Sequence, residues 1–462
     1  MADETHAGTV LDVPALAKEL GARFVDAGHE LYLVGGTVRD LILGRDAPDF
    51  DFATSAHPPE TNRILRGWAD RQYLVGVAFG TVGAMKAGRR LEITTYREEV
   101  YAEEHRRPAV TFGDDVQTDL SRRDFTINAM AMRLPEGTFT DPFGGVKALA
   151  ARSLDTPLEP EVSFSDDPLR MVRAARFVAQ LGVTPVPRVV AAIEAMGARL
   201  DIVSAERIRE ELDKLLVAEH VHAGLALLVD TGLMDGFLPE VPALRLEQDP
   251  VHHHKDVLRH TYAVVAGTEP RVRLRLAALL HDIGKPDTRR ITPEGVTFHH
   301  HEVVGSRMTR ERLTALRYPA ALIDEVCTLI ELHLRFHGYG EGWTDSAVRR
   351  YVRDAGPLLD DLNQLTRADV TTRNPQKAAA FGMLQDELEE RVAELAEREN
   401  LDAIRPPLDG GQVMALLGLP PGPAVGEALA YLLEERMERG PIAEGDAEAL
   451  LRAWVAERGI TG

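Results

Sequence analysis

A single cysteine, Cys327, in 462 residues leaves no disulfide framework to consider. It fits a reducing compartment, and its plain role is a small apolar core residue. Basic charge is not in surplus either. Lys and Arg number 53 against 73 Asp and Glu, a formal net charge of −20, which argues against indiscriminate adhesion to nucleic acid while leaving room for a local basic track. No window approaches the roughly eighteen uninterrupted apolar residues of a membrane span. The start, Met1-Ala2-Asp3-Glu4-Thr5-His6, has no basic patch leading into an apolar stretch, so a soluble, cytoplasmic protein without membrane contact is expected. Internal repeats and low-complexity tracts are also missing.

What is present is enough apolar material, 44% of the chain, to fill more than one core, and two to four domains are expected at this length. The pattern predicts a multidomain α+β protein. Residues 10–155 alternate short apolar runs with turns (Leu31–Val34, Phe50–Ala53, Gly80–Met85, Leu91–Thr95, Ala129–Leu134), which predicts a mixed α/β head. From about residue 165 the apolar spacing changes to three and four, as in Pro168–Leu181, Val189–Ala195 and Ala205–Leu216, and strand signals nearly vanish. Prolines 239, 242 and 250 punctuate a boundary, ten of the sixteen histidines lie between 252 and 337, and the end is rich in Glu, Ala, Leu and Arg. These shifts divide the helical part into 156–250, 251–375 and 376–462.

Two carboxylates carry the strongest chemical signal. Leu31-Tyr32-Leu33-Val34-Gly35-Gly36 reads as a buried strand entering a tight turn, and a helix expected to begin near Val38 would offer N–H groups to phosphate. Asp49 and Asp51 follow in Asp49-Phe50-Asp51-Phe52. The period of two in a strand aims both to one side, where they can share divalent cations. A phosphate cradle beside paired aspartates fits two-metal phosphoryl or nucleotidyl transfer. A Gly-Gly loop with two solvated turn aspartates is the plain alternative. Glu92, alternating with apolar neighbours in Leu91-Glu92-Ile93, is a candidate third carboxylate or an ordinary edge-strand glutamate.

Further along, Asp119-Leu120-Ser121-Arg122-Arg123-Asp124-Phe125-Thr126-Ile127-Asn128 gathers polar groups before an apolar segment. Its paired arginines can fork onto a triphosphate, while Asp124 and Asn128 can orient a ribose or an arginine. In Asp166-Asp167-Pro168-Leu169-Arg170-Met171-Val172-Arg173-Ala174-Ala175-Arg176-Phe177, Asp167 suits a helix N-cap and Pro168 the first helical position. Arg170, Arg173 and Arg176 then share a face. A carboxylate beside a guanidinium can match the hydrogen-bonding edge of a nucleobase.

GGTVRD, DFDFAT, LEITTYR, DLSRRDFTINAMA, DPFGG (Asp141 to Gly145) and DDPLRMVRAARF, in that order, resemble the class II tRNA nucleotidyltransferase and bacterial poly(A) polymerase family. The resemblance implies a nucleotidyltransferase-type head followed by an all-helical neck, body and tail, and it makes Asp49 and Asp51 the magnesium ligands. It further implies that Gly36, Arg39 and Arg123 contact the incoming nucleotide. Asp167 and Arg170 would form a protein template for CTP and ATP, with phosphate-side arginines at Arg173 and Arg176. The family's usual Glu-Asp is Asp166-Asp167 in this chain, which leaves Asp166 without an inherited role. Residues 98–113, with Tyr101, Arg106, Arg107 and Pro108, resemble the family's flexible loop, and Ser204–Leu216 its neck. The activity implied is addition of CCA to the 3′ end of tRNA with release of pyrophosphate. A poly(A) polymerase, or a partial enzyme adding only CC or only A, is the alternative; a non-catalytic tRNA-binding regulator is disfavoured by the intact motifs. Oligomeric state is not legible.

A second constellation follows. His260, His281-Asp282, His301, His333 and Asp369, gathered from several helices, suit a one- or two-metal hydrolase site. Leu279-Leu280-His281-Asp282-Ile283-Gly284-Lys285-Pro286 resembles the HD phosphohydrolase superfamily. The resemblance implies His260, His281, Asp282 and Asp369 as ligands, with His301 and His333 for a second metal. His252, His253, His254, His299, His300 and His337 crowd the same region, and the His299-His300-His301 run leaves the ligand open. Carboxylates mixed with imidazoles favour Mn²⁺, Ni²⁺ or Co²⁺ over Mg²⁺ alone.

Overall fold

The structure, a computed structural model, describes residues 13–47, 49–73, 80–100, 109–112, 115–246, 256–292, 295–370, 374–399 and 404–458. Tyr101, Arg106, Arg107, Pro108, His252, His253 and His254 fall outside them. The chain divides into two compact units, Met1–Phe237 and Leu238–Gly462.

The first unit is built on a seven-stranded sheet: β1 (Leu31–Val34), β2 (Asp49–Thr54), β3 (Arg71–Tyr73), β4 (Thr81–Lys86), β5 (Arg89–Thr95), β6 (Ala131–Leu134) and β7 (Thr138–Thr140), in the order β3-β4-β5-β2-β1-β6-β7. It is mixed, because β2 runs parallel to β5 while the other neighbours are antiparallel. All four residues of β1 are buried. That is why this strand is apolar throughout: Leu31 and Leu33 enter the core of helix α1 (Ala15–Asp26) with Leu20 and Phe24, while Tyr32 and Val34 enter a second core with Leu120. Strand β2 is covered on one side only along its first half. Phe50 and Phe52 go into the α1 core, and Asp49 and Asp51 alternate with them. The predicted β4–β5 hairpin is present, closed by Ala87-Gly88 with φ of 49° and 76°, a turn whose twist suits a two-residue connection.

Helix α2 (Gly36–Ile42) starts two residues before the expected Val38, since Gly35 at φ 70° already makes the turn and Gly36 is free to be helical. After helix α3 (Val116–Ser121) the chain bends through a 3₁₀ turn at Thr126–Asn128 before β6. Helix α4 (Leu169–Leu181) begins one residue later than predicted, with Pro168 at its cap position; the Leu169 N–H still donates to Asp167 Oδ1 at 3.2 Å. Leu169, Val172, Phe177 and Val178 are buried, and α4 packs on α5 (Ala205–Leu216).

The second unit is helical, with α6 (Val257–Gly267), α7 (Val272–Leu280), α8 (His301–Ala315), α9 (Ala320–Leu332) and α10 (Leu359–Asp369) enclosing its histidines. One exposed hairpin, Arg290–Thr292 with Gly295–Thr297, departs from the all-helical expectation. Three residues per strand are too few for a period-two signal. The last helices pack around Val413, Leu432, Leu451 and Trp454. No helix among the described residues is long and apolar enough to cross a membrane.

Candidate active sites

In the first unit the Gly35 turn and β2 are tied together by Thr37. Its hydroxyl donates to the Asp49 carbonyl (3.3 Å) and accepts from the Asp51 N–H (3.1 Å). The turn and the two carboxylates are therefore one rigid piece. A Cβ added to Gly35 would lie 2.5 Å from Arg123 Nη1 and 3.8 Å from Asp51 Oδ2, so the glycine lets the arginine lie against the backbone beside the carboxylate. Arg123 is also held by Asp119, Nη2 to Oδ2 at 3.2 Å. Burial pushes the Asp51 carboxyl up; Arg123 opposes this, and Glu92 and Asp49 add to it. Such a crowded acid is stabilised in its charged form by a bound cation.

Asp51 is the register partner of Glu92 across the parallel β2–β5 pair, and Asp49 that of Arg90. Glu92 is engaged by Arg90 (Nη2 to Oε1, 2.5 Å). Among the described residues, the groups of three whose ligand atoms all lie within 4.8 Å of one another are both in the second unit, and Asp49, Asp51 and Glu92 are not such a group. Hard carboxylate oxygens of Asp49 and Asp51 fit Mg²⁺ as donors.

Around this pair the arginines are fastened. Arg39 forks onto Asp40 (2.9 and 3.0 Å) and donates to Asn128 Oδ1 at 2.8 Å. Asn128 in turn donates to Asp124 Oδ1 at 2.9 Å. Asp124, buried, takes Arg173 on its other oxygen through Nε (2.9 Å) and Nη2. Burial alone would raise the Asp124 carboxyl, but Arg173 and Asn128 outweigh it and hold it well below the usual range. Of the two orienting tasks open to Asp124 and Asn128, both hold an arginine. Arg176 meets Glu211 at 2.6 Å, and Arg173 reaches the same carboxylate at 3.5 Å. Burial, with Arg173 beside it, lowers Arg176 to about 10.

Arg170 donates to Ser163 Oγ (2.9 Å) and to the Arg122 carbonyl (2.6 Å), and Asp167 Oδ2 accepts from Arg207 at 2.7 Å. Asp166 lies 3.9 Å from Arg122. Asp141 caps the helix at Gly145 (2.6 Å to its N–H), and a Cβ at Gly145 would fall 2.5 Å from the Thr126 carbonyl, so DPFGG is a packing device beneath the Thr126–Asn128 turn. Sequence reasoning missed Thr37, Arg207 and Glu211. Glu211 had a signal: with Ile208, Leu212 and Leu215 it occupies the apolar stripe of α5, where a carboxylate needs a partner.

In the second unit two groups form, His260, His281 and Asp369, and Asp282, His301 and His333. His260 Nε2 lies 2.9 Å from Asp369 Oδ1 and 3.3 Å from His281 Nε2. Asp282 joins the groups, with Oδ2 3.2 Å from His281 Nε2 and Oδ1 3.3 Å from His301 Nε2. His281, His301 and His333 each place Nδ1 on the carbonyl three residues earlier: Ala278 (2.8 Å), Phe298 (2.8 Å) and Ile330 (2.6 Å). An Nδ1–H donated to a carbonyl leaves Nε2 as the ligand atom. The buried Nε2 of His333 has no hydrogen-bond partner among the described residues, while that of His301 faces Asp282. That donor set fits metal binding: His260, His281 and Asp369, and Asp282, His301 and His333, would hold the ions. Burial lowers His281, yet Asp282 and Asp369 outweigh it and raise it to about 10; burial and His281 lower His333 to about 3. Of the crowded alternatives, His337 lies at the margin, 3.8 Å from Asp369, and His300 is exposed and 3.8 Å from Glu302. A Cβ at Gly284 would meet the His301 carbonyl at 2.2 Å, so only glycine lets α8 come this close to the His-Asp turn.

Three family models match: the Poly A polymerase head domain over residues 31–155, the probable RNA and SrmB-binding site of polymerase A over 182–244, and the HD domain over 252–374. The chain is 45% identical over 221 residues to the CCA-adding enzyme of Anoxybacillus flavithermus, a match covering 48% of this chain and 54% of the relative, so it spans about half the length of that protein. Over nearly the whole chain it is 34% identical to the A-adding tRNA nucleotidyltransferase of Deinococcus radiodurans (440 residues, 92% of this chain and 95% of the relative). It is 32% identical to the CC-adding tRNA nucleotidyltransferase of Thermus thermophilus (444 residues, 92% and 94%). The fold superposes on the Bacillus stearothermophilus CCA-adding enzyme solved in complex with CTP with a TM-score of 0.70 at 27% identity, covering 97% of this chain and all of that one. With a head, an RNA-binding segment and an HD domain in succession, and full-length relatives above 30% identity, this chain belongs to the class II tRNA nucleotidyltransferase family.

Proposed function

We propose that the first unit adds CCA to the 3′ end of tRNA from CTP and ATP and releases pyrophosphate. The observation that carries this is the Gly35–Thr37–Asp49–Asp51 assembly with Arg123 laid against it. Asp49 and Asp51 hold Mg²⁺, which when bound aligns the RNA 3′ hydroxyl with the nucleotide α-phosphate and neutralises the leaving pyrophosphate. Gly36, Arg39 and Arg123 border the nucleotide, and Asp167 with Arg170 reads the base edge. The pairing of Arg173 and Arg176 with Asp124 and Glu211 makes them, in this reading, positioning residues that fix α4, in place of the phosphate-side role implied by resemblance. Glu92, engaged by Arg90, is an accessory carboxylate. The working division is a head (10–155), neck and body (156–250), HD domain (251–375) and tail (376–462).

A partial enzyme is the second reading, supported by full-length relatives named for A and for CC addition at 34% and 32% identity. Labelled CTP and ATP offered to tRNA lacking its 3′ end, with the product sequenced, separates the readings: CCA ends support the first, CC or A alone the second. No incorporation would remove both.

The second unit we read as a metal-dependent phosphohydrolase acting on 2′,3′-cyclic phosphates or phosphomonoesters. His260, His281, Asp282, His301, His333 and Asp369 hold the ions, and Mn²⁺, Ni²⁺ or Co²⁺ suits the mixed donors.

A further inference from the structure

Asp167 and Arg170, the pair read above as a base template, are secured by different parts of the chain. Arg170 spends its guanidinium on backbone and hydroxyl oxygens, the Ser163 carbonyl and Oγ and the Arg122 carbonyl. Asp167 has one oxygen on its own helix, accepting from the Leu169 N–H at 3.2 Å. Its other oxygen is taken at 2.7 Å by Arg207, 40 residues away near the start of α5. Arg207 is half-exposed and Asp167 more covered, 51% against 29% for their side chains. The contact thus sits at the open side of the pair.

We propose that Arg207 is a specificity-determining positioning residue: it aims the Asp167 carboxylate, so that the pair accepts from the amino group of cytosine or adenine. The inference rests on the reading of Asp167 and Arg170 as the base-reading pair. An ionised carboxylate has acceptors only. Cytosine N4 and adenine N6 carry amino donors at the edge where uracil O4 and guanine O6 carry acceptors. A carboxylate locked in direction therefore rewards the first two bases and repels the others. A carboxylate free to rotate discriminates less. Each oxygen has two lone pairs, and Arg207 supplies one hydrogen bond to Oδ2, so the base amino group has acceptor capacity left. The position needs a planar, permanently charged donor that reaches across from the neighbouring helix, which suits arginine better than lysine.

The test uses the full-length enzyme with tRNA lacking its 3′ end, and measures kcat/KM for CTP and UTP in wild type, Arg207→Gln, Arg207→Lys, Asp167→Ala and the Asp167→Ala/Arg207→Gln double variant. Arg207→Gln should lower the CTP-over-UTP preference about tenfold, the scale of one charge-assisted hydrogen bond, with Arg207→Lys in between. In the Asp167→Ala background the same change should do nothing further. An unaltered preference in Arg207→Gln, or an equal loss with both nucleotides, overturns the inference while Asp167→Ala still erodes base choice. If Asp167→Ala itself leaves the preference intact, the base-reading assignment falls and the role of Arg207 falls with it.

Discussion

The carboxylate of Asp124 is gripped by Arg173 through both Nε and Nη2, across 49 residues of sequence. This links the Asp124–Asn128 segment to helix α4, and through Asn128 it reaches Arg39. One buried acid thereby sets the position of two arginines, Arg173 directly and Arg39 through Asn128.

Asp124→Ala should accordingly be among the most damaging single changes in the first unit. It leaves the guanidinium of Arg173 short of a charge partner and Asn128 short of an acceptor. Breaking a buried pair from one side typically costs about 3–5 kcal/mol. Denaturant unfolding should show that loss, with Asp124→Asn intermediate. A stability unchanged within about 0.5 kcal/mol would mean that the link is dispensable.

Asp49→Ala and Asp51→Ala should do the opposite. Both side chains lie off the apolar face of β2, so folding should persist. Loss of a charge from a metal clamp should lower CTP incorporation by at least about 10²–10³. Near-normal incorporation by either variant, at saturating Mg²⁺, counts against the assignment.

Gly35→Ala isolates the turn. At φ 70° any Cβ is strained, and this one would fall 2.5 Å from Arg123 Nη1. The flexible arginine can retreat, at the expense of its place beside Asp51. Activity should fall by more than about tenfold, while the melting temperature changes by only a few degrees. Activity scans beside melting curves decide it: a large melting shift with full activity per folded molecule would contradict the account.

The sequence revealed five of the seven sheet strands of the head, each as an apolar run, with β1 covered on both faces, whereas β3 and β7, three residues each, leave no such run. Asp49 and Asp51 were legible for the same reason: alternation with Phe50 and Phe52 fixes their side of the strand. Their anchoring was not. Thr37, Arg207 and Glu211 act through contacts 12 to 40 residues away in sequence, and no local period reports a partner at that distance. Helix starts were off by one or two residues at Gly36 and Leu169, where a glycine or proline can stand on either side of the cap. The second-unit candidates were named from residue type, but their gathering into two groups depends on how α6 to α10 pack.

In the second unit, Arg349, Arg398 and Arg436 converge on Glu399, with contacts of 2.8, 3.0 and 3.3 Å, and hold its carboxyl down at about 2. The Arg349 bond is the larger influence, opposed by burial. The folded value lies below the unfolded one, so the contribution to stability is complete above the ordinary glutamate range and disappears as pH falls toward about 2. Urea unfolding of wild type and Glu399→Gln should show a gap near neutral pH that narrows through this window. A gap that stays constant with pH would assign the effect of the substitution to shape alone.

The two units should be separable by chemistry. Asp282 turns its oxygens to His281 and His301, so Asp282→Ala removes the carboxylate of one group that also borders the other, and His281→Ala removes one Nε2. Either change should abolish hydrolysis of 2′,3′-cyclic phosphates in Mn²⁺, Ni²⁺ or Co²⁺ and spare CTP incorporation, whereas Asp49→Ala should do the reverse. Metal content gives an independent readout, since the stoichiometry of bound Mn²⁺, Ni²⁺ or Co²⁺ should drop in Asp282→Ala and not in Asp49→Ala. Burial and the neighbouring His281 push the His333 imidazole down, which favours the neutral form with its unpartnered Nε2. Should wild-type protein bind none of these ions and hydrolyse neither cyclic nor terminal phosphates, the histidine cluster is a structural element of the second unit, and the separation would vanish with it.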